Sequence, residues 1–277
     1  MSELRASIDA ATAHLREITD FQPEYGIILG TGLGGFADEI EAVASVPFDR
    51  IPGMVKSTAL SHEGNMVFGT LGGRRVMAMQ GRLHFYEGYS MQQITLPVRI
   101  MRAMGCHSLI MSNAVGGMNP LMVPGDIVVV TDHINLMGDN PLIGPNDDEL
   151  GPRFPDMSQP YDRAYVDRTA HLALEHGIRA HKGVYVAVAG PNLETAAEYR
   201  MLRRMGADIV GMSVVPENLV AVHAGMRVLA LSVITDQCLP DALEPADVQE
   251  IIGVANRTEP SLRKLVVSFL ESSDDEV

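Results

Sequence analysis

Only two of the 277 residues are cysteines, Cys106 and Cys238, and they stand far apart and alone. No disulfide framework and no close-set zinc ligands can be built from them. Basic charge is scarce as well. Lys and Arg number 21 against 35 Asp and Glu, a formal net charge of −14. Nucleic-acid binders show the opposite balance. The acidity therefore reads as solubility, and a basic residue in a site is placed there deliberately. Long apolar runs are missing, since none approaches the roughly 20 residues of a membrane-spanning helix. Residues 1–20 carry amphipathic helical spacing, not the apolar block of a signal peptide. A reducing cytoplasm, no membrane and no nucleic-acid partner are the expectations. Internal repeats and low-complexity linkers are absent too.

What is present is an ordinary globular composition, 46% hydrophobic and 20% charged, in a chain long enough for one large core. Short apolar runs alternate with helical patterns. Strands are expected at residues 25–30, 75–79, 108–112, 126–131, 184–189, 208–212 and 227–235. Helices are expected at 91–104, 162–176, 194–205, 216–224 and about 246–270. This alternation implies an α/β fold: a single domain over 1–277, with a mixed, mostly parallel central sheet flanked by helices. The segment Asp139 to Pro160, rich in Pro, Asp, Gly and Asn, is long for a structureless loop and is a candidate functional loop. Residues 272–277 are expected to be a disordered tail.

Chemistry-bearing motifs follow the strands, where open α/β sheets bind ligands. GTGLGG (residues 30–35) allows a sharp turn and close approach of backbone amides to an anion, with Thr31 as an added donor. Its spacing also satisfies G-x-G-x-x-G. The dinucleotide pattern, however, needs a second strand ending in an acid about 20 residues on, and Pro47 and Pro52 break that region. GRLHFYEGY (81–89) sets Arg82, His84 and Tyr86 at period two, so on an extended loop they point one way. Arg suits bidentate contact with phosphate, and His84 adds a second donor. SNAVGG (112–117) lets backbone groups touch a ligand. GPNLET (190–195) puts Glu194 beside Leu193, and GMS (211–213) puts Ser213 beside Met212. That mixture suits a flat, partly apolar ligand with polar edges. Asp236 lies at the end of strand 227–235, available for acid/base or hydrogen-bond work. His62 stands isolated in a loop. Each motif alone also reads as a tight turn or a helix start.

In combination, GTGLGG, GRLHFYEGY, SNAVGG, RFPDMS, AGPNLET, GMSVVPE and ITD, in that order, resemble the trimeric purine nucleoside phosphorylase family, which includes methylthioadenosine phosphorylases. The likeness runs from about Tyr25 to Leu265. The resemblance implies a partly barrel-like mixed sheet in a cytoplasmic homotrimer of purine salvage. It implies reversible phosphorolysis of purine ribo- or 2′-deoxyribonucleosides to free base and pentose 1-phosphate. No metal or organic cofactor is implied; inorganic phosphate is a substrate. Carried over residue by residue, Thr31, His62, Arg82, His84, the backbone of Ala114 and Ser213 would hold phosphate. Tyr86 and Met212 would contact ribose. Val115, Leu193, Glu194, Val210 and Asp236 would surround the base, and Phe154 would reach a neighbouring subunit's ribose pocket. The catalytic groups would be Asp236, Glu194 and His84. Two departures stand out. Asp236 occupies a position where oxopurine-preferring members carry Asn, and Val248 or Asp247 falls where many members have a His for the 5′-hydroxyl. A methylthioadenosine phosphorylase is thus the second reading. A nucleotide-binding oxidoreductase built on GTGLGG and a non-catalytic nucleoside-binding protein are the alternatives from other classes.

Overall fold

The computed structural model describes residues 2–30, 39–58 and 64–273. Helix α1 (Glu3–Ile18) starts at Ser2, whose side chain accepts from Arg5 N, and it buries the stripe Ile8, Ala11 and Leu15. Helix α2 (Met91–Met104) begins with a reciprocal capping box between Ser90 and Gln93. It stops at Gly105, whose φ of 121° a side chain would oppose. Asp162 caps α3 (Arg163–Glu175), and Thr195 caps α4 (Ala196–Arg204). Helices α5 (Val215–His223) and α6 (Val248–Glu271) complete the helical layer.

The strands are β1 (Tyr25–Ile28), β2 (Glu41–Pro47), β3 (Asn65–Leu71), β4 (Arg74–Gln80), β5 (Ser108–Gly117), β6 (Ile127–Leu136), β7 (Ala180–Val188), β8 (Ile209–Gly211) and β9 (Arg227–Gln237). Their order among the described residues is β2-β3-β4-β1-β5-β8-β7-β6-β9, with β9 returning to pair β5. The last five strands in that order close into a small ring, so one part of the sheet is a barrel and the other an open wing. Strand β1 runs parallel to both neighbours, β4 and β5. Strand β5 is parallel to β9 and antiparallel to the short β8. The mixed α/β architecture and partial barrel agree with expectation.

Two strands were not anticipated. β2 is largely exposed and ends in Pro47, and it pairs antiparallel with β3 at the outer edge of the wing. Burial does not impose alternation on such an edge, so its pattern is weak. Residues 272–273 also depart from the expected tail. Ser273 is buried, and its hydroxyl donates to Phe269 O at 2.8 Å, closing the end of α6. The segment from 139 to 160 carries no helix or strand, as its composition suggested. It is pinned where Asn218 Nδ2 donates to Pro160 O at 2.6 Å. No helix among the described residues is long and apolar enough to cross a membrane.

One irregularity positions the site. The β5–β9 register runs Val115 to Ile234 and then jumps to Gly116 opposite Asp236, leaving Thr235 as an extra residue in β9. Such bulges bend a strand and re-aim its side chains, and they concentrate near active sites.

Candidate active site

A cavity of about 160 Å³ opens at the carboxyl ends of β4, β5, β8 and β9. Arg82, His84, Ala114, Val115, Leu193, Glu194, Val210, Met212, Ser213 and Asp236 all line it, together with Tyr86. Residues from five separate sequence motifs thus converge on one space. Thr31 and His62 lie outside the described residues.

One end is suited to an anion. Arg82, just past β4, is 1% exposed. Its Nε donates to Glu217 Oε1 at 2.7 Å and its Nη1 to Ser112 O at 2.8 Å. Glu217 stands in the first turn of α5, so the guanidinium is locked between that helix and the middle of β5. His84 follows at the same face, its ring stacked on Tyr86 with centroids 4.7 Å apart. Its Nδ1 lies 3.2 Å from Glu87 Oε1. A carboxylate only accepts, so Nδ1 carries the proton of that contact, and Nε2 can offer N–H to an anion only in the imidazolium form. Burial pushes the Glu87 carboxyl up, but hydrogen bonds from His84 and Thr58 outweigh it and hold the group at about 2.

Ser213 reaches the same end through a strained turn. Val214 has φ 68° and ψ −52°, and Val215 N donates to Ser213 O at 2.7 Å. These are the features of a γ-turn of the rare, strained kind, here with a β-branched residue at its apex. Strain held at a pocket wall is a mark of function. Tyr185 supports the turn from below: its hydroxyl accepts from Ser213 N at 3.2 Å and from Asn113 Nδ2 at 3.3 Å. Asn113 Oδ1 in turn accepts from Ser232 Oγ at 2.7 Å. Complete burial pushes the Tyr185 phenol up to about 12, so it remains a neutral hydroxyl. A side chain on Gly211 would collide with that hydroxyl, which explains the glycine in GMS.

The other end combines apolar walls with two carboxylates. Val115, Val210 and Leu193 give the apolar faces. Asp236 is oriented by the β9 bulge: Thr235 Oγ1 donates to Asp236 Oδ1 at 2.9 Å and reaches Val115 O at 3.2 Å. Burial raises the Glu194 carboxyl above its ordinary value; a hydrogen bond from Tyr199 offsets part of this, and the nearby Asp236 adds to it. The pocket continues outward into a second cleft bounded by residues 242–247 and the start of α6.

Several lining residues escaped the sequence reading. Asn113, Gly116, Gly211 and Thr235 lay inside the recognised motifs but drew no attention, as did Glu217, which holds Arg82 from behind the cavity wall. Tyr199, Cys238 and Ile251 lay outside them. Only the helical offset of Tyr199 from Glu194 and the closeness of Cys238 to Asp236 could have flagged two of these. Phe154 is not brought to this pocket; it is 86% exposed in the 139–160 segment. Val248 is half-exposed and does not line the cavity, whereas Ile251, one turn further along α6, does. Asp247 caps α6 and faces the outer cleft. Among the described residues no group of three or more His, Cys, Asp or Glu is set to hold a metal ion.

Comparison with known proteins gives a consistent result. The sequence profile of the Phosphorylase superfamily matches residues 24–271. Purine nucleoside phosphorylase 1 of Bacillus subtilis is 47% identical over 267 residues, covering 96% of this chain and 98% of that protein. The mouse (Mus musculus) purine nucleoside phosphorylase is 42% identical over 265 residues, covering 93% and 92%. Among solved structures, a schistosome purine nucleoside phosphorylase with hypoxanthine superposes with a TM-score of 0.93 at 38% identity, covering 98% of each chain. The Schistosoma mansoni enzyme in complex with adenosine matches equally well, with a TM-score of 0.93 at 38% identity over 98% of each chain.

Proposed function

The chain belongs to the phosphorylase superfamily, and within it we propose that the protein is a purine nucleoside phosphorylase. It catalyses reversible phosphorolysis of purine ribo- and 2′-deoxyribonucleosides to free base and pentose 1-phosphate. The observation that carries this reading is the two-ended cavity: a buried arginine and a strained serine turn at one end, apolar walls and two carboxylates at the other.

In this reading phosphate binds against Arg82, His84, Ser213 and the backbone of Ala114, with Thr31 and His62 completing the cradle. The nucleoside lies across Met212 and Tyr86, its base between Val115, Val210 and Leu193, facing Glu194 and Asp236. A phosphate oxygen forms a bond to the anomeric carbon as the carbon–nitrogen bond breaks, and the bonding pair leaves with the purine. Positive charge grows on the sugar beside the phosphate, and negative charge on the base. Fixed groups that meet both charges supply the largest part of the acceleration, and holding the partners in line adds the proximity term. The Asp236 carboxylate accepts from a proton on N7 or from an exocyclic amine. The catalytic groups are thus Asp236, Glu194 and His84.

No organic cofactor or metal enters this chemistry, and phosphate is consumed as a substrate. The enzyme acts in the cytoplasm in purine salvage, as a homotrimer. The exposure of Phe154 supports the trimer, because an exposed aromatic in a long loop gains most from burial in a neighbour's pocket. The single-domain organisation over the whole chain belongs to the same reading. A methylthioadenosine phosphorylase is the second reading, favoured by Asp236 and by apolar Ile251 on the cavity wall. The test is a phosphate-dependent turnover assay with inosine, guanosine, adenosine and methylthioadenosine. Phosphate-dependent release of base from the first three supports the proposal. Turnover confined to methylthioadenosine supports the second reading, and nucleoside binding without turnover refutes both.

A further inference from the structure

Two residues beyond Asp236, at the close of β9, Cys238 is 1% exposed yet lines the cavity. Its thiol donates to Asp236 Oδ2 at 3.1 Å, while Thr235 holds Oδ1. Space for the sulfur is made on the adjacent strand β5 by Gly116, where an added Cβ would lie 2.5 Å from Cys238 Sγ. From α4, Tyr199 interacts with both Cys238 and Glu194. Burial and the Asp236 charge push the thiol far above its ordinary range, so it remains an S–H donor.

A carboxylate turns easily about its last torsion, which is broad and two-fold. With one oxygen held by a hydroxyl and the other by a thiol, its plane is fixed, and each oxygen keeps a lone pair for a ligand. We infer that Cys238 is a positioning residue: it fixes the plane of the Asp236 carboxylate and keeps it an acceptor towards the purine. The inference rests on the purine nucleoside reading. The titratable groups facing Asp236 are Glu194 and Tyr199 from the α4 side and Cys238 just past the end of its own strand. Strand β5 presents Gly116 and α6 presents Ile251, with Glu250 and Asp247 further out in the adjoining cleft.

Two experiments test it. The first does not depend on turnover. In a Cys106→Ala background, modification of Cys238 by methyl methanethiosulfonate is followed against pH by mass spectrometry. Adding Asp236→Asn removes the charge that restrains the thiol and should speed modification by roughly tenfold in the alkaline range, one unit of thiol pKa. An unchanged rate would overturn the pairing even if the protein proved to have another activity. The second is kinetic. Cys238→Ala should lower kcat on purine nucleosides about tenfold, leave the KM for phosphate unchanged and move the acid limb of the pH profile upward. Cys238→Ser, which restores a donor, should recover most of the loss, and Gly116→Ala should reproduce it by displacing the sulfur. A Cys238→Ala enzyme with the parental kcat and profile, or a Ser variant no better than Ala, would overturn the positioning role.

Discussion

Arg82 and Glu217 form a buried ion pair: Nε to Oε1 is 2.7 Å, with side chains 1% and 3% exposed. The cation expected at the anion end is therefore already neutralised by a carboxylate from the first turn of α5. The site gains a rigid guanidinium with its charge held in a fixed place. Removing Glu217 alone leaves an uncompensated buried cation, which costs about 3–5 kcal/mol. Glu217→Leu should unfold at markedly lower urea concentration than the parent. Arg82→Met with Glu217→Leu should recover much of that stability while losing turnover. Arg82→Ala should raise the KM for phosphate more than the KM for nucleoside, and a rise confined to nucleoside would remove Arg82 from the phosphate role.

Base choice should rest on the two carboxylates. An ionised Asp236 accepts from a 6-amino group and repels a 6-oxo oxygen, whereas an amide can donate to it. Asp236→Asn should shift kcat/KM towards inosine over adenosine by roughly 1–3 kcal/mol, the range for one mismatched buried polar partner. The ratio measured in both proteins settles this, and an unchanged ratio means that Asp236 does not read the base.

Glu194 adds a pH signature. Burial raises its carboxyl above the ordinary value. Adenine N1 accepts a hydrogen bond, so it suits the protonated acid; hypoxanthine N1–H donates, so it suits the carboxylate. The adenosine-to-inosine ratio of kcat/KM should therefore fall as pH rises through the Glu194 transition. Glu194→Gln should flatten that dependence. A parental ratio constant with pH would show that Glu194 does not meet N1.

Phe154→Ala should impair turnover although Phe154 lies outside its own subunit's cavity. Mixing that variant with Arg82→Ala and allowing subunits to exchange should return activity to roughly a quarter of the sites, by random assortment in a ring of three. Failure of every mixture to gain activity, with exchange verified by mass spectrometry, would count against a shared site.

Glu87 makes stability depend on pH. Its carboxyl lies at about 2 in the folded protein against 4.5 unperturbed. The folded state therefore binds fewer protons in this window than the unfolded state. The stabilisation is complete above about 4.5 and is lost as pH falls towards 2. After allowance for solvent screening it is about 2 kcal/mol. Glu87→Gln should lose that much at pH 7 and about a quarter of it at pH 2.5 by urea denaturation. Equal losses at both pH values would contradict the linkage.

Much of this was legible in the chain. The buried strands β1, β5 and β9 each carry a short apolar run, and α2 ends at the glycine its pattern demands, so burial imprinted the sequence directly. The site motifs were legible because small residues and lone polar groups follow those runs. β2 was missed because an exposed edge is under little selection for pattern, and β3, although buried between β2 and β4, because its seven residues include Asn, Gly and Thr that interrupt the apolar run. The partners of the site residues were missed for another reason. Glu217, Tyr185 and Cys238 act across sheet and helix, and no local spacing announces that Arg82 will meet a carboxylate 135 positions away.

The closure of the ring also has a kinetic consequence. Strand β9 lies between β5 and β6 and pairs with both, yet it is the last described strand to be made. Until it arrives, β5 and β6 each present an unpaired edge, a hazard that nascent chains must survive. Pairing Ser108 with Arg227 requires a long loop to close first, which places this chain among slow folders rich in non-local contacts. The same strand carries Thr235 and Asp236 and ends one residue before Cys238. A chain stalled before residue 227 would therefore hold most of the scaffold but lack the strand that brings Asp236 to the cavity.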